Sequence, residues 1–335
     1  MVYPKSVLVS VIVPLYNAER YVVSALSSIL KEQRLPMEVI VVNNGSTDGS
    51  CERVNSISDS RLRLIHSPVK GIAATLNVGL SAAQGKFLVR CDADDLYPAD
   101  RIFQQVQWLD QHPEFGAVCG GYAAIDPKGA TLVEFNDSGL SEEITSELSA
   151  GFVRTHFCTY ALRAELARGI GGFRPYFTTG EDIDFQLRLG EACRVWYQPG
   201  VWYQYRLHRT SITHTCSTVE REFFDSVARE LQRQRQVDGL DALDRGQPPP
   251  LPELTNRRPL SAAQHIQKFL LWRAWYEHQT GQKRQAITTG IRSALAMPSN
   301  LSTWKSLFAI ALKPCEVAKP MAALETIKLP VRSTR

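Results

Sequence analysis

Two short acidic stretches carry the side chains best suited to chemistry in this sequence. The first is Asp92-Ala93-Asp94-Asp95, which follows the apolar, strand-like residues 86–91. Three carboxylates on one tight turn repel each other unless a positive charge lies among them. A hard divalent cation with oxygen ligands would supply that charge, and such a cation often binds a substrate diphosphate as well. The alternative is that these acids cap a helix starting near Pro98, because a helix N-terminus favours negative charge.

The second acidic stretch is Glu181-Asp182-Ile183-Asp184, which follows Gly180. Acids in the first turn of a helix are stabilised by the helix dipole, so this stretch has a purely structural interpretation. The functional interpretation is that one of its carboxylates is a general base beside the metal site. Side chains two residues apart do not share a helical face, so at most one of Asp182 and Asp184 points at a substrate. We expect Asp184 to cap or orient the helix.

The hydrophobic periodicity predicts the scaffold that must position these acids. Buried, β-branched strands alternate with helices, which is typical of a parallel α/β sheet. Strands are predicted at residues 7–13, 38–42, 61–65, 86–91, 195–197 and 201–206, and helices at 18–32, 72–83, 98–112 and 181–191. Residues 116–125 and 131–135 flank Asp126-Pro127-Lys128-Gly129, a turn sequence that predicts a hairpin.

The loops after the predicted strands are where a ligand is expected, because open α/β sheets bind ligands beyond the carboxyl ends of their strands. These loops are residues 14–17, 43–48 and 91–95, and all three are polar or turn-forming. No Gly-x-Gly-x-x-Gly follows the first strand and no Gly-Lys-Ser/Thr loop occurs in the sequence. These absences argue against a dinucleotide-dependent dehydrogenase and against a P-loop nucleotidase.

Charge and cysteine usage narrow the class of protein further. Residues 1–215 carry 20 Lys and Arg against 23 Asp and Glu, a net charge of −3, which argues against nucleic-acid binding by this part. The seven cysteines form no Cys-x-x-Cys pair, so free thiols in a reducing compartment are predicted. No signal peptide is recognisable, and no apolar run approaches the roughly 20 residues of a membrane helix. These patterns predict a cytoplasmic protein.

The C-terminal part has a different character. Residues 216–335 are predicted to form a helical, basic extension to a catalytic domain at 1–215, with a Pro-rich linker near 247–252. Residues 257–335 carry 13 basic against 3 acidic residues, a net charge of +10. One face of the helix predicted at 301–312 carries Leu301, Trp304, Phe308, Ala311 and Leu312, with Lys305 and Lys313 nearby. Either this face makes peripheral contact with an anionic membrane, or Trp304 and Phe308 pack on the enzyme core.

Five segments of the chain occur in the order found in one enzyme family. They are VSVIVPLYNAERYV, EVIVVNNGSTDGS, KGIAATLNVGLSAAQGKFLVRCDADDLYPADRIFQQVQWLDQHPEFGAVCGG, GGFRPYFTTGEDIDFQLRL and YRLHRTSIT. Over residues 5–215 the chain therefore resembles the inverting glycosyltransferase family 2. The resemblance implies a GT-A nucleotide-diphospho-sugar transferase fold, a Rossmann-like α/β fold with a mixed, mainly parallel sheet. In this chain that fold would carry a helical C-terminal extension.

The resemblance also implies an activity. A metal-dependent enzyme would move a sugar from a nucleotide-diphosphate sugar to a saccharide or lipid-linked acceptor, with inversion of the anomeric carbon. Mn²⁺ or Mg²⁺ would be the metal, and cell-surface polysaccharide or glycolipid biosynthesis would be the setting. The partners are then the nucleotide sugar and the acceptor, with possible peripheral contact to an anionic membrane on its cytoplasmic face and no nucleic acid.

The family's motifs imply roles for individual residues of this sequence. The residues at the nucleotide end are Pro14, Tyr16, Asn17 and Glu19, and those near the base and ribose are Asn43, Asn44 and Asp48. Asp92 and Asp94 form the Asp-x-Asp motif that contacts the donor and holds the metal, and His208 matches a histidine that approaches the metal in some members. Asp182 is the expected catalytic base and Glu181 shapes the acceptor pocket, while Arg206 and Arg209 could neutralise the leaving group.

The pair Asn43-Asn44 departs from the family pattern, which usually has at least one Asp there. An amide can still bond a base edge, so the departure bears on the identity of the nucleotide and not on the fold. Two alternatives to a glycosyltransferase stay open. A sugar nucleotidyltransferase on a related fold would need a Gly-rich, Arg-containing loop where this chain has residues 14–17. The other alternative is an inactive family member that acts as a binding partner. The intact Asp92, Asp94 and Asp182 argue against this alternative.

Overall fold

The computed structural model describes residues 7–136, 139, 141–208, 218–251, 262–279 and 281–314. Its strands are β1 (Val9–Leu15), β2 (Met37–Asn43), β3 (Leu62–His66), β4 (Phe87–Arg90), β5 (Ala117–Ile125), β6 (Thr131–Phe135), β7 (Glu142–Glu143), β8 (Ala161–Arg163) and β9 (Val195–Arg206). Its helices are α1 (Val22–Leu30), α2 (Ser50–Asn55), α3 (Ile72–Ala82), α4 (Arg101–Gln111), α5 (Thr145–Ser149), α6 (Ala164–Gly169), α7 (Glu181–Ala192), α8 (Thr218–Asp238), α9 (Ala262–Gln279), α10 (Lys283–Ala296) and α11 (Leu301–Leu312). Phe157–Thr159 form a short 3-10 helix.

In the described part of the chain the nine strands form one mixed sheet with the order β3-β2-β1-β4-β8-β5-β9-β7, and β6 pairs with β5. The run β3-β2-β1-β4 is parallel, and β5 is parallel to β9. The short strand β8 is antiparallel to both β4 and β5 and joins the two parallel groups. The architecture is the predicted GT-A-type arrangement, in which the first four strands end at one common edge.

The alternation of side chains along β1 shows how the sequence builds a core on both faces of the sheet. Val11 and Val13 belong to the apolar cluster that includes the buried faces of α1 and α4. Ile12, which lies between them, belongs to the cluster on the opposite face, with residues of α3 and α7. Because successive side chains of a strand point to opposite faces, an unbroken apolar strand requires helices on both sides of the sheet.

Most predicted elements are confirmed, with differences at their ends and in the later half of the chain. The hairpin of β5 and β6 forms around Asp126-Pro127-Lys128-Gly129 as predicted. The two strands predicted at 195–197 and 201–206 are one strand, β9, whose pairing with β5 shifts register near Gly200. The strand β8 and the helices α5 and α6 were not predicted, because segments of three to six residues are too short to show a period.

Helix α8 packs on α7 and continues the catalytic fold beyond residue 215. Phe224, Val227 and Leu231 of α8 form a small buried cluster with Phe177 and with Leu187 of α7. Beside this cluster lies a network of ion pairs whose members are Arg174, Asp184, Arg188, Arg235, Glu191 and Asp241. The apolar contacts and the ion pairs together fix α8 to the helix that opens with the acidic stretch.

The contacts divide the chain into two compact units, and their boundary differs from the predicted one at residue 215. The first unit contains the described residues up to Arg206 together with residues 218–251. The difference arises because α8 has its apolar partners on α7. The second unit contains Leu207, His208 and the helices α9 to α11.

The second unit is a helical group with its own small core. Ala274, Ala286 and Ile310 form that core, one residue from each of α9, α10 and α11. Gly290 lets α10 approach α11 closely, since a Cβ atom there would lie 2.8 Å from Leu307. In the stretches that the structure describes, no helix is both long and apolar enough to cross a bilayer.

Candidate active site

The loops after β1 and β2 meet at the carboxyl edge of the sheet and are tied to each other. Asn17 has a φ of +46°, a left-handed conformation that Asn tolerates better than most residues. Its Oδ1 accepts a hydrogen bond from the backbone N–H of Thr47 at 2.8 Å, and its own N–H donates to Ser46 Oγ at 3.1 Å. The two loops therefore form one connected rim along this edge.

Two acidic side chains of this rim also support its backbone. Asp48 Oδ2 accepts from the N–H of Glu19 at 3.1 Å, and Glu19 Oε2 accepts from the N–H of Gly49 at 3.2 Å. Burial opposes the charged form of Asp48, but the hydrogen bond from the Ser50 hydroxyl and those from backbone N–H groups outweigh it and lower the pKa of the Asp48 carboxyl. The side chains of Asp48 and Glu19 therefore hold the shape of the rim.

The amides of Asn43 and Asn44 have a similar role. Asn43 Oδ1 accepts from the N–H of Ser46 at 2.9 Å, and Asn44 Oδ1 accepts from the N–H of Gly71 at 3.0 Å. Nearby, Pro14 is buried at the end of β1, whereas Tyr16 is 53% exposed. The structure thus brings the predicted nucleotide-end residues together, with Tyr16, Asn17 and Glu19 exposed to solvent.

The acidic loop after β4 is anchored through its third carboxylate. Asp95 is almost completely buried, and it accepts hydrogen bonds at 2.6 Å from the Tyr203 hydroxyl and from the N–H of Arg206. Burial raises the pKa of the Asp95 carboxyl well above its usual range, and the neighbouring Asp94 and Asp92 carboxylates add to the shift. Asp95 therefore anchors the loop, while Asp92 and Asp94 are only partly buried.

Arg206 is buried against the same loop. Its Nε donates to the carbonyl of Asp94 at 2.6 Å, and its Nη1 donates to the carbonyl of Pro127 in the hairpin turn at 3.1 Å. The predicted role for Arg206 was to neutralise a leaving group. In the structure this side chain links the acidic loop to the hairpin between β5 and β6.

Arg90, the last residue of β4, connects the two acidic stretches. Its Nε lies 2.8 Å from Asp92 Oδ1, and its Nη1 lies 3.1 Å from Glu181 Oε1. Arg90 is only 9% exposed, so it balances two carboxylates in a largely dry environment. Arg90 was not among the predicted site residues. In the sequence it is distinguished only as a positive charge at the end of an apolar, buried strand, where a charged side chain needs a partner.

The first two carboxylates of helix α7, those of Glu181 and Asp182, differ in their exposure to solvent. The helix begins directly after Gly180, whose φ of +72° is a conformation that L side chains rarely adopt. Burial raises the pKa of the Glu181 carboxyl from 4.5 to about 7, although Arg90 opposes the shift. Asp182 is partly exposed, and its Oδ1 accepts from the N–H of Ile183 at 3.0 Å. Of these two acids, Asp182 is the one open to a substrate.

Asp184 points away from this opening. It is completely buried, and its Oδ2 accepts from Arg188 Nε at 2.9 Å. The expectation was that Asp184 caps or orients the helix, and its contacts with Arg188 and Arg174 correspond to the second of these roles. Its carboxylate belongs to the buried ion pairs that join α7 to the α8 segment through Arg174 and Asp241.

His156 also lies near the acids, and like Arg90 it was not among the predicted site residues. It lies just before the 3-10 helix, and the negative charges of Asp182 and Asp92 act on its ring. Burial nevertheless lowers the pKa of the His156 imidazole below 6.5. Close by, Cys158 Sγ lies 3.7 Å from Asp92 Oδ2. No motif or period singled out His156; only the fold brings it to the acids.

The predicted metal ligands are not gathered into a preformed cluster. Among the residues that the structure describes, no three His, Cys, Asp or Glu side chains come together as a metal site. Both oxygens of Asp92 face Arg90, at 2.8 and 3.3 Å. His208 is buried and belongs to the second unit, and Arg209 lies outside the described residues.

The chemistry that this edge can support follows from its carboxylates. Asp92, Asp94 and Asp182 are oxygen donors or proton acceptors with partial access to solvent, and Arg90 holds the two acidic stretches next to each other. A cavity of about 460 Å³ opens elsewhere, beside Val7, Met37 and Arg61 at the amino edge of the sheet. That cavity has no carboxylate or histidine in its lining, so the carboxyl edge is the candidate active site.

Comparison with known sequences agrees with the geometry of this edge. A family model described as Glycosyl transferase family 2 matches residues 10–163. The matched range contains the rim formed by the loops after β1 and β2, the acidic loop and His156. It ends within β8, before the acidic stretch of α7.

Individual relatives carry related names. Chondroitin synthase of Pasteurella multocida (strain Pm70) is 27% identical over 245 residues, which cover 71% of this chain and 25% of that protein. Glycosyltransferase GlyG of Streptococcus pneumoniae serotype 4 is 40% identical over 127 residues, 36% of this chain and 41% of that protein. The chain thus spans less than half the length of either relative.

A solved structure has the same fold. The structure of S. aureus TarS 1-349 in complex with UDP-GlcNAc matches with a TM-score of 0.58 and 18% identity, over 91% of this chain and 89% of that chain. The structure of S. aureus TarS matches with a TM-score of 0.52 and 17% identity, over 91% of this chain and 54% of that chain. At these identities the likeness establishes the fold alone.

Proposed function

We propose that this chain, whose residues 10–163 match the model described as Glycosyl transferase family 2, transfers a sugar from a nucleotide-diphosphate sugar to a hydroxyl of a saccharide or lipid-linked acceptor. The family match over residues 10–163 supports the class of reaction. Cell-surface polysaccharide or glycolipid assembly is the proposed setting, and the polysaccharide synthase among the relatives supports it.

The observation that carries this proposal is the position of Arg90 between Asp92 and Glu181. Arg90 holds the acidic loop after β4 against the start of α7. In this proposal the acidic loop binds the donor and the start of α7 carries the base. A sugar held between the two would have its diphosphate toward the loop after β4 and its anomeric carbon toward Asp182. This is the order of groups that a displacement on the anomeric carbon needs.

The proposed transfer is a single displacement. The acceptor oxygen attacks the anomeric carbon, the bond from that carbon to the diphosphate oxygen breaks, and the diphosphate leaves with the electron pair. The acceptor proton passes to the carboxylate of Asp182, and such proton transfer contributes about 10²–10⁴-fold in rate. Attack from the face opposite the leaving group inverts the anomeric centre, so no second nucleophilic carboxylate is required.

We propose Mn²⁺ or Mg²⁺ as the metal, held mainly by Asp94 with Asp92 beside it. The donor set fits a hard cation, because only oxygens are offered and the carboxylates already raise the pKa of Asp95. Because Arg90 is hydrogen-bonded to both oxygens of Asp92, a cation bound here would need further oxygen ligands from substrate and water. When bound, such a cation supplies charge stabilisation for the diphosphate.

The proposal is tested with the full chain and a set of nucleotide sugars. Thermal unfolding is followed with UDP-GlcNAc, UDP-glucuronate and GDP-mannose, each with and without Mn²⁺. A donor present at about 100 times its dissociation constant should add about 2.7 kcal/mol to the free energy of unfolding. Release of UDP or GDP is then measured with the donor that stabilises the protein.

The products separate the alternatives. Release of nucleoside diphosphate with transfer of the sugar supports a glycosyltransferase. Formation of a nucleotide sugar from nucleoside triphosphate and sugar 1-phosphate, with release of pyrophosphate, would instead identify a nucleotidyltransferase. Donor binding without any turnover would identify an inactive family member.

We also propose that the second unit makes peripheral contact with an anionic membrane. Leu301, Phe308 and Leu312 lie along one side of α11 and are 73%, 67% and 79% exposed. Trp304 is only partly exposed, and its Nε1 donates to the carbonyl of Pro298 at 3.0 Å. Residues 262–279 and 281–314 carry seven Lys and Arg against one Glu. An apolar stripe with basic surroundings suits the interface of an anionic leaflet.

A further inference from the structure

Four aromatic side chains form a continuous group next to the candidate active site, and we call this group the aromatic wall. Its members are Tyr122 of β5, Phe135 of β6, His156 and Tyr205 of β9. Phe135 stacks on Tyr122 with ring centroids 4.7 Å apart, and Tyr122 meets His156 edge to face at 4.5 Å. His156 stacks in turn on Tyr205 at 5.5 Å, with 19° between the rings.

The strands that carry the wall fix its position. Tyr122 and Phe135 are direct cross-strand partners of β5 and β6, and Tyr205 lies on β9, the other neighbour of β5. Tyr205 is two residues from Tyr203, so both side chains lie on the same face of β9. Since Tyr203 donates to Asp95, the wall begins next to the anchored acidic loop.

Tyr122 and Tyr205 pack on the main apolar core with part of their surface, but the wall is not fully buried. All four side chains are partly exposed, in contrast to Tyr203, which is 1% exposed on the same face. Large aromatic side chains gain most when both ring faces are covered, so four of them left partly open at one place need an explanation. His156 adds a polar edge, and the negative charges of Asp182 and Asp92 act on it.

We infer that the aromatic wall is the acceptor subsite and holds a pyranose ring of a saccharide acceptor beside Asp182. The inference rests on the proposed function and specifies its acceptor. A pyranose has an apolar face of C–H groups and a periphery of hydroxyls, which matches aromatic faces edged by polar groups. Because the negative charge of Asp182, the proposed base, acts on the His156 ring, we assign the aromatic wall to the acceptor and not to the nucleotide.

The state of His156 agrees with this role. Burial lowers the pKa of its imidazole and so favours the neutral form of the ring. A neutral ring offers a flat stacking face and one donor and one acceptor nitrogen for sugar hydroxyls. The negative charges of Asp182 and Asp92 act to raise the pKa of His156, whereas burial and the positive charge of Arg90 act to lower it. The net result is a lowered pKa.

The test measures acceptor binding directly, without donor. Ligand-observed saturation-transfer NMR is recorded on the full chain with three probes, the methyl β-glycosides of glucose, galactose and N-acetylglucosamine. Wild type should transfer saturation to at least one probe, most strongly to the C–H groups of one ring face. His156→Ala should weaken that binding about 2- to 10-fold, because an aromatic contact contributes about 0.5–1.5 kcal/mol. His156→Phe should preserve most of the binding, since it keeps the stacking ring.

The control is His112→Ala, which removes a half-buried histidine stacked on Trp108 at 4.2 Å, away from the acids. It should bind the probes like wild type. If His156→Ala fails to fold, Tyr205→Leu removes another ring of the wall, and the same loss is expected. No saturation transfer to any probe in wild type, equal loss in His112→Ala, or undiminished binding in the wall variants would overturn the inference. Failure of every nucleotide sugar to bind wild type would instead refute the proposed function, because the NMR measurement uses no donor.

Discussion

Arg90 Nη1 and Glu181 Oε1 lie 3.1 Å apart although their residues are 91 positions apart in the chain. The same guanidinium holds Asp92, so one buried cation sets the distance between the acidic loop after β4 and the first turn of α7. Buried ion pairs add little net stability compared with apolar residues of the same size, but removal of one partner is costly. The arrangement is therefore better suited to positioning two acidic stretches than to stabilising the fold.

Arg90→Met should lower the free energy of unfolding by about 3–5 kcal/mol, because it leaves two carboxylates near each other without their cation. Urea unfolding of wild type and variant measures the difference. Arg194→Met is the matched control, since Arg194 is half-exposed and pairs with Glu143 at the surface. That control should lower the free energy of unfolding much less, because solvent screens an exposed ion pair. A similar, small loss in both variants would contradict the proposed place of Arg90.

Glu181 should make stability fall as the pH rises through the weakly acidic range. Its folded pKa of about 7 lies above the ordinary value of 4.5, so the folded state binds the proton more tightly than the unfolded state. The stabilising contribution is therefore complete below pH 4.5 and is lost as the pH approaches 7, by up to ~3 kcal/mol. Glu181→Gln should flatten this part of the stability curve, which unfolding at several pH values measures.

Glu143→Gln serves as the control for Glu181→Gln, because the contribution of Glu143 to stability should depend on pH in the opposite direction. The hydrogen bond from Arg194 lowers the pKa of the Glu143 carboxyl, so its contribution to stability is present above the ordinary pKa and is lost as the pH falls. A stability curve of Glu181→Gln that keeps the wild-type slope between pH 4.5 and 7 would show that Glu181 does not titrate there.

The sequence predicted the parts of this site that follow from strand ends and missed those that depend on long-range packing. The acidic runs that contain Asp92 and Asp182 were recognised at the boundaries of predicted elements, and the family resemblance selected Asp182 as the base. Arg90 and His156 were missed, because Glu181 is 91 residues from Arg90 and Asp182 is 26 residues from His156. Asp184 was placed on the right helix, but its burial against Arg188 could not be read from a pattern that also fits a helix cap.

The same distinction applies to the fold. The strands β1, β2 and β4 each contain at least three consecutive apolar residues, and β3 carries Leu62, Leu64 and Ile65, so these strands could be predicted. The strand β8 has three residues and reverses the direction of the sheet between β4 and β5. Nothing in Ala161-Leu162-Arg163 distinguishes such a strand from a turn, and its place depends on the two neighbours that it joins.

Asp182→Asn should leave donor affinity nearly intact while transfer falls by about 10²–10⁴-fold, because the amide keeps the size of the side chain and removes the proton acceptor. Calorimetric donor binding and single-turnover transfer separate the two effects. Asp184→Asn is the matched control on the same helix turn. It should act through stability, by about 3–5 kcal/mol, because it removes the anion that faces Arg188 and Arg174. Near wild-type transfer in Asp182→Asn, with loss of transfer but normal stability in Asp184→Asn, would exchange the two roles.

Asp94→Asn tests the proposed metal. The substitution keeps the shape of the side chain and removes one negative oxygen ligand. Donor binding by the variant should respond much less to Mn²⁺ or Mg²⁺ than binding by wild type, as titration calorimetry with and without each ion would measure. Asp126→Asn, which changes an acid of the hairpin turn, should keep the wild-type response. An unchanged metal response in Asp94→Asn would remove Asp94 from the metal site.

The membrane proposal predicts sedimentation with vesicles that contain phosphatidylglycerol and not with vesicles of phosphatidylcholine alone. Binding should weaken with added salt, because salt screens the attraction of the basic residues to the lipid. Phe308→Ser with Leu312→Ser should weaken binding further by removing apolar contact. Val69→Ser with Val237→Ser changes two exposed apolar residues of the other unit and should have no effect. Equal binding to both kinds of vesicle, or to neither, would reject the proposal.

The packing of α8 on α7 has a practical consequence for recombinant work on this protein. A chain shortened at residue 206 would lose the cover of Phe177 and Leu187 and would leave Asp184 and Arg174 without Asp241 beside them. Such a fragment would expose an apolar surface of the kind that promotes aggregation. The natural point of truncation is the Pro-rich stretch that begins near residue 248, so a minimal enzyme for expression and screening should retain everything before it.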